Sequence, residues 1–239
     1  FQAGLFGCDA QKFLPNQSTP GCGAHPGTPA ATADTLVINY FTNDALSLDI
    51  GQRADCQFQN VANNPVNTLR AGTNTAHTGL APVLPLFVSN RYTLTPTTVQ
   101  IEGQTISTFS LACNGSGAAT ATNTYQPMLT GIEQLRFRYG AFASEVGMQA
   151  DQFFNSAQVN ALTPVPLANT TREKWERVVA VRACLLVRSM QRARSEGGQS
   201  YTLTDCDGTA VTYTDGVDRR VYTQVFAVKN NVPQTYPIN

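Results

Sequence analysis

The chain has 239 residues, with 16 basic and 16 acidic side chains, so its formal net charge is zero. Charged residues make up 13% of it, about half of the ~25% that is usual in soluble domains. This composition argues against a nucleic-acid-binding surface or a polybasic membrane anchor as the main design, and the length is ample for a hydrophobic core.

The N-terminal part is predicted as the end of a helix followed by a loop. Residues 1–7 are read as the tail of that helix, which stops around Gly7. Residues 15–34 are rich in Pro, Gly, Thr and Ala, which is typical of loops. Residues 8–34 are therefore expected to form a loop and linker.

Strands are predicted next over residues 35–41, 45–50 and 56–61. In the second of these, Leu46, Leu48 and Ile50 fall on one face, as the period of two requires. Residues 63–82 are polar and too many for a compact turn, so they are expected to form a surface excursion.

A meander of three strands is predicted over residues 86–94, 98–102 and 105–113, with Gly103 turning the last pair. The run GIEQLRFRYG at residues 131–140 then predicts a further strand. Its apolar side chains alternate with polar ones, so one face is expected to be buried and the other wet. The alternating residues are Leu135, Phe137 and Tyr139 against Gln134, Arg136 and Arg138.

The best helix candidate beyond the N-terminus covers residues 150–162. Asp151 lies near its start, where a short acidic side chain can cap the first turn. Pro164 and Pro166 are expected to end it.

The C-terminal part is predicted as three more strand regions. Residues 177–188 are apolar over most of both faces, which indicates a central strand. A hairpin around Asp207-Gly208 and a last strand at 219–229 follow. Because the strands do not alternate with long helices, the pattern argues against a parallel α/β fold.

The sequence contains no familiar catalytic motif. Gly-x-Ser-x-Gly, His-Glu-x-x-His and a glycine-rich phosphate loop are all missing. Only two histidines, His25 and His77, are available to act as a base for a nucleophile. We therefore expect neither an enzyme nor a cofactor.

A calcium loop is the strongest alternative for the acidic residues near the C-terminus. Asp205 and Asp207, with Asp215 and Asp218 downstream, have the look of such a loop. However, Asp207-Gly208 stands between two short β patterns, which is the signal for a two-residue hairpin turn. The bidentate glutamate of a calcium loop is missing at its expected spacing, so the turn is favoured.

Three pairs of arginines could bind an anionic partner such as DNA. The more common role of such pairs is a solvated strand face or a turn, and that interpretation is favoured here. The pairs are Arg136/Arg138, Arg192/Arg194 and Arg219/Arg220.

Six cysteines in so polar a chain indicate an oxidising compartment and disulfide bonds. The Cys-x-x-Cys spacing is missing and both histidines lie far from the cysteines in sequence, so zinc is disfavoured. Six cysteines allow 15 pairings. Order along the chain and placement on strands favour Cys8–Cys22, Cys56–Cys113 and Cys184–Cys206.

Two stretches together resemble a known family. They are GIEQLRFRYG at residues 131–140 and WERVVAVR at 175–182, in this order and with a short helical segment between them. They resemble the C-terminal half of the PilW family of type IV pilus minor pilins, which is related to the J-type pseudopilins of type II secretion. The start, FQAGLFGC at residues 1–8, is similar to the segment where the long N-terminal helix of PilW proteins ends. We therefore expect that a hydrophobic half-helix precedes residue 1 in the natural protein.

The resemblance implies an α+β pilin-like fold. In that fold a long helix lies on a twisted, mainly antiparallel sheet, here with a second sheet or barrel-like extension. The expected organisation is one domain over residues 1–239, divided into the helix tail (1–7), the disulfide loop and linker (8–34) and a β-rich body (35–239).

The resemblance also implies a function and partners. The protein would be a structural minor pilin that helps to initiate pilus assembly and sits at or near the pilus tip. Its partners would be other minor pilins, the major pilin and a PilY-type tip adhesin. It would lie in the bacterial inner membrane and periplasm before assembly, and then in the extracellular pilus.

Two alternatives keep the location and change the role. The chain could be an adhesin or ligand-binding module that uses the loops at 15–34 and 63–82 for recognition. It could also be a minor pseudopilin of type II secretion.

Overall fold

The computed structural model describes residues 4–14, 21–24, 33–42, 54–59, 61, 86–117, 124–142, 150, 152–163, 165–166, 171–172, 174–191 and 200–228. In this part of the chain, two antiparallel β-sheets pack against each other around a common hydrophobic core. The strands are numbered below in chain order.

The first sheet has five strands, and each pairs antiparallel with its neighbours. Their spatial order is β1 (Leu5–Cys8), β4 (Thr35–Thr42), β5 (Leu86–Ile101), β6 (Gln104–Asn114) and β7 (Gln126–Thr130). The longest pairing joins β5 to β6 along the whole of both strands.

The second sheet has four strands, also antiparallel. Their order is β15 (Arg219–Ala227), β12 (Val178–Arg188), β8 (Ile132–Ala141) and β9 (Gln152–Phe154). The two central strands are β8 and β12; most residues of β8 are buried, and β12 is the more apolar of the two.

Smaller elements decorate the two sheets. A helix, α1 (Ser156–Ala161), follows β9, and a 3-10 turn (Lys174–Arg177) leads into β12. Three two-stranded hairpins complete the set: β2 (Lys12–Leu14) with β3 (Gly21–Gly23), β10 (Val165–Pro166) with β11 (Thr171–Arg172), and β13 (Tyr201–Thr204) with β14 (Ala210–Tyr213).

An aromatic group marks the centre of the core. The Tyr139 and Trp175 rings meet edge to face with centroids 4.8 Å apart, and Phe6 lies 5.1 Å from Trp175. These residues come from the second sheet, the 3-10 turn and the first sheet, so the core joins residues that are far apart in sequence.

The expected α+β fold, with residues 1–7 as a helix tail packed on the sheet, is wrong. Residues from Leu5 onward form β1, which pairs with β4 and buries its three side chains, those of Leu5, Phe6 and Cys8. Gly7 lies inside this strand, where the buried Tyr139 ring approaches so closely that a Cβ would not fit. The fold is therefore mainly β, with one short α-helix in the described residues.

The meander was predicted in the right place, but its first two predicted strands are one continuous strand in the structure. β5 runs without interruption through Pro96, where a gap between two strands was expected. The reason is that β4 pairs with β5 only as far as Tyr92. Beyond that point β5 has β6 as its only partner strand in the described residues, so the missing N–H of Pro96 breaks no ladder.

Two shorter elements also differ from the prediction. Residues 56–59 form a turn rather than a strand, because the Asp55 carboxylate accepts hydrogen bonds from the backbone N–H groups of Gln57 and Gln59. The helix predicted at 150–162 is shorter and begins after β9. Its N-cap is Asn155, in a capping box with Gln158; Asp151 lies outside the described residues.

The hairpin at Asp207-Gly208 exists, but its loop is longer than two residues. The last paired residues are Thr204 and Ala210, so five residues connect β13 to β14. The Asp205 side chain accepts hydrogen bonds from the N–H groups of Asp207 and Thr209 and organises this loop. The strand predicted at 45–50 and the loop at 63–82 lie outside the described residues.

Candidate functional site

Three disulfides fix the irregular parts of the chain to the sheets. They join Cys8 to Cys22, Cys56 to Cys113 and Cys184 to Cys206, the pairs named from the sequence, with Cα–Cα distances of 5.7, 6.2 and 5.7 Å. The first ties β1 to β3, the second ties the 56–59 turn to β6, and the third ties β12 to the β13–β14 loop. Each bridge thus holds a segment that has little core of its own.

A network of four charged residues, which we call the Asp34 cluster, covers the polar face of β8. It consists of Asp34, Arg136, Arg138 and Asp207. The Arg136 Nε and Nη2 atoms donate to the two Asp207 carboxylate oxygens at 2.8 and 2.9 Å. The Asp34 carboxylate lies 3.6 Å from Arg136 Nη1 and 3.7 Å from Arg138 Nη1. The cluster therefore links β8 to the segment before β4 and to the β13–β14 loop.

Asp34 is the buried member of this cluster, with a side chain only 3% exposed. Burial raises its pKa from 3.8 to about 6, although the backbone N–H groups of Phe137 and Ala10 and the charge of Arg136 act in the opposite direction. The pKa of Asp207 is lowered instead, chiefly by its hydrogen bond from Arg136. The pKa values of the two carboxylates in this cluster are thus shifted in opposite directions.

A second ion-pair group lies beside β15. The Arg219 guanidinium contacts the Glu133 and Asp215 carboxylates, at 2.5 Å from Nε and 2.7 Å from Nη2 respectively. The hydrogen bond from Arg219 lowers the pKa of Asp215 to about 2. Arg188 adds a 3.5 Å contact to Glu133. This group anchors the start of the last strand.

These contacts change the interpretation of the arginine pairs. Arg136 and Arg138 were expected on a wet face, but Arg136 is 8% exposed and both residues pair with Asp34 and Asp207. Their charge is therefore used inside the protein and is not displayed to an anionic partner. Arg219 is also paired, whereas Arg192 and Arg194 lie outside the described residues.

The acidic residues near the C-terminus have structural partners as well. Asp205 shapes the hairpin loop, Asp207 binds Arg136, and Asp215 binds Arg219. In the part of the chain that the structure describes, no group of three or more His, Cys, Asp or Glu side chains is arranged to hold a metal ion. Arg136 and Asp207 are 71 residues apart, so no local motif in the sequence shows their pairing.

An apolar trough of about 780 Å³ lies between the two sheets. Gly4, Leu5, Phe226 and Val228 are among the residues that line it. Its floor consists of apolar side chains from both sheets, among them Leu36, Ile38, Leu111, Leu135, Phe137, Val181, Ala183 and Leu185. Sequence analysis gave the individual strands but not this trough, because the residues that line it come from strands of both sheets that are far apart in sequence.

Exposed apolar side chains concentrate on the outermost strand of each sheet. On β15, Tyr222, Val225 and Phe226 are 54%, 47% and 56% exposed, and on β7, Met128 and Leu129 are 57% and 51% exposed. Phe226 also lines the trough, so the trough and the β15 edge share an exposed apolar side chain. Exposed apolar patches of this kind often mark sites of protein–protein contact.

Comparison with known families agrees with this geometry. The family model for type IV pilus-assembly protein W, PilW, matches residues 88–230, which is more than half of the chain. The chain belongs to the PilW family. The match begins within β5 and runs past the end of β15, so it covers the whole second sheet and most of the first. No curated protein and no solved structure matches the chain.

Membership in the PilW family assigns the protein to type IV pilus assembly and to the cell envelope. No helix among the described residues of this PilW protein is long and apolar enough to cross a membrane. The family assignment and the apolar surfaces point in the same direction, because a pilus component must meet other subunits. The histidines His25 and His77, which the sequence offered as the only bases, both lie outside the described residues.

Proposed function

We propose that this PilW protein is a structural minor pilin that helps to initiate type IV pilus assembly and sits at or near the pilus tip. The observation that supports this role best is the apolar trough, which is lined by residues of both sheets. Such a surface is suited to being covered when subunits assemble.

Its partners in this proposal are other minor pilins, the major pilin and a PilY-type tip adhesin. Before assembly the protein lies at the inner membrane, with its folded part in the periplasm. The three disulfides suit that oxidising compartment. The protein acts as one domain, because a single core cluster extends from Leu5 to Val228.

Deletion of the gene tests the proposal and separates it from its alternatives. Loss of surface pili supports a role in assembly. Intact pili with lost attachment indicate an adhesin, in which the loops at 15–34 and 63–82 would be the recognition surface. Intact pili with lost protein secretion indicate a type II secretion pseudopilin, and either of the last two results would overturn the proposal.

Complementation with trough variants links the phenotype to the structure. Ala183→Asp places a carboxylate on the floor of the trough and is expected to abolish piliation. Thr204→Asp adds the same charge on the exposed face of the β13–β14 hairpin and is the matched control, expected to restore pili. Circular dichroism and disulfide mapping show whether both variants fold. Normal piliation with a folded Ala183→Asp protein would remove the trough from the argument.

A further inference from the structure

The outer edge of β15 has no partner strand among the described residues. β15 ends the order of the second sheet, and all residues from Tyr222 to Ala227 are exposed. An edge strand displays a row of backbone N–H and C=O groups that can pair with another strand. β15 is nine residues long, which is enough for a full ladder.

The hydrogen bonds to β12 show which backbone groups of β15 point outward. The Val228 N–H donates to the Val179 carbonyl at 2.8 Å, and the Asp218 carbonyl accepts from the Ser189 N–H at 2.8 Å. In an antiparallel ladder, alternate residues direct both of their backbone groups to the same neighbour. The pairing of β12 with β15 runs without a register shift, so the even-numbered residues face β12. The backbone N–H and C=O groups that point away from β12 are therefore those of Val221, Thr223 and Val225.

β15 lacks the proline and the central charges that usually protect an edge. Its outward-facing Val225 carbonyl accepts a 3.3 Å hydrogen bond from the Gln224 side chain, which must be released when another strand pairs there. Of the other edge strands, β1 and β9 have only four and three residues, and β7 has five and contains Pro127, which has no N–H to donate. β15 contains no proline, and the segment from Val221 to Ala227 contains no charge. Natural edge strands are normally protected by such residues when they must remain unpaired. The open edge of β15 therefore indicates that it is covered in the assembled state.

We propose that β15 pairs antiparallel with β15 of a second copy of this chain, with Thr223 on the two-fold axis. Thr223 is the midpoint of Arg219–Ala227, so this register alone pairs the whole strand with itself. Thr223 then lies opposite the partner's Thr223, and Val221 lies opposite the partner's Val225. Both outward-facing valines and the central threonine join the ladder, and the two four-stranded sheets become one sheet of eight strands.

The side chains of this register are complementary. Arg220 lies opposite the partner's Phe226, so no two charges of the same sign face each other and a cation–π contact is possible. Arg220 makes no ion pair in the described part of the chain and is exposed, so it is available for this contact. Threonine pairs and β-branched pairs are among the favourable neighbours across an antiparallel ladder. The complementarity of the strand with itself is the reason to choose a second copy over an unrelated strand.

Hydrogen exchange, read by NMR at low and high protein concentration, tests the ladder directly. The amides of Tyr222, Gln224 and Phe226 are expected to be protected at both concentrations because they donate to β12. The amides of Val221, Thr223 and Val225 are expected to gain protection only at high concentration. Amides of these three residues that exchange freely at every concentration would overturn the proposal.

A charge swap on the axis tests the register. Thr223→Lys puts two like charges directly opposite, about 5.5 Å apart between Cα atoms, and is expected to weaken self-association by roughly tenfold or more. Thr223→Glu is expected to do the same. An equimolar mixture of the two variants should associate at least as well as the wild-type chain. Thr204→Lys, on the exposed face of the hairpin, is the control and should associate normally.

Analytical ultracentrifugation of the four proteins and the mixture decides the outcome. Wild-type dimers that Thr223→Lys leaves intact, or a mixture that does not associate, would contradict pairing through Thr223. A wild-type chain that stays monomeric throughout would also contradict it and would leave the edge to a strand of a different subunit. The result is independent of the proposed pilus role, because piliation is measured in cells and this association is measured on the isolated protein.

Discussion

Replacing Asp34 with asparagine should change how the stability of the protein depends on pH. Asp34 is buried between β4 and β8, where its carboxylate accepts hydrogen bonds from the N–H groups of Ala10 and Phe137 at 2.9 and 2.8 Å. It also lies within 4 Å of Arg136 and Arg138. Asparagine keeps the shape and one acceptor oxygen but cannot ionise in this range.

The size of the effect follows from the pKa of Asp34, which burial raises from 3.8 to about 6. One pKa unit corresponds to about 1.4 kcal/mol, so the shift is equivalent to about 3 kcal/mol. Because the folded pKa is the higher one, the folded state holds the proton more tightly than the unfolded state. This contribution to the free energy of unfolding is fully present below about pH 4 and is lost as the pH rises through about 6. Asparagine has only one acceptor oxygen, so the variant loses one of the two hydrogen bonds that Asp34 accepts. This loss lowers its free energy of unfolding by the same amount at every pH.

Urea unfolding of wild type and Asp34→Asn at several pH values measures the difference. The free energy of unfolding of the wild type, minus that of the variant, should fall by about 3 kcal/mol between about pH 4 and pH 7. Asp207→Asn is the matched control, because the hydrogen bond from Arg136 lowers the pKa of Asp207. Its contribution is present above about pH 4 and is lost as the pH falls further, which is the opposite direction. A wild-type advantage over Asp34→Asn that stays constant, or grows with pH, would show that Arg136 and Arg138 outweigh burial.

Three further changes test the packing and the disulfides. Gly7→Ala should lower the melting temperature, at a cost of roughly 1–3 kcal/mol, because its Cβ would overlap the buried Tyr139 ring; an unchanged melting temperature would contradict this close approach. Tyr139→Phe should be neutral or stabilising by about 1 kcal/mol, since the Tyr139 hydroxyl is buried with no hydrogen-bond partner among the described residues; a clear loss in thermal unfolding would reveal a missing partner. Replacing Cys184 and Cys206 together by alanine should cost roughly 3 kcal/mol, and non-reducing peptide mapping of the wild type should recover these two linked rather than Cys184 as a free thiol or bound to another cysteine.

The central strands could be predicted because their sequences are unambiguous. Residues 134–139 alternate strictly between polar and apolar side chains, and residues 177–188 are mostly apolar and rich in valine, which favours a buried strand. The family resemblance rested on the same two stretches, and the family match extends over both. Local pattern and global role agree there, since these strands form the middle of the second sheet.

The N-terminal segment shows where sequence reasoning fails. A run of seven residues is too short for its period to separate a helix from a strand. Tertiary contact decides the matter: β1 takes its hydrogen bonds from β4, and Gly7 lets the Tyr139 ring lie against the backbone. Both partners are distant in sequence, so the information was not local. The likeness of the start to a helix end in other family members therefore did not determine its conformation.

The polar face of β8 shows the more general reason why a sequence pattern does not give the whole site. Alternation identifies which side chains share a face but not what lies over that face. Here the covering group is the irregular β13–β14 loop, which the Cys184–Cys206 bridge holds against β12 so that Asp207 can meet Arg136. The disulfide was expected from the sequence, and it already placed this loop beside the sheet. The burial of Arg136 could therefore have been inferred by combining that bridge with the charge of Asp207, because a carboxylate held over a strand of arginines will pair with them.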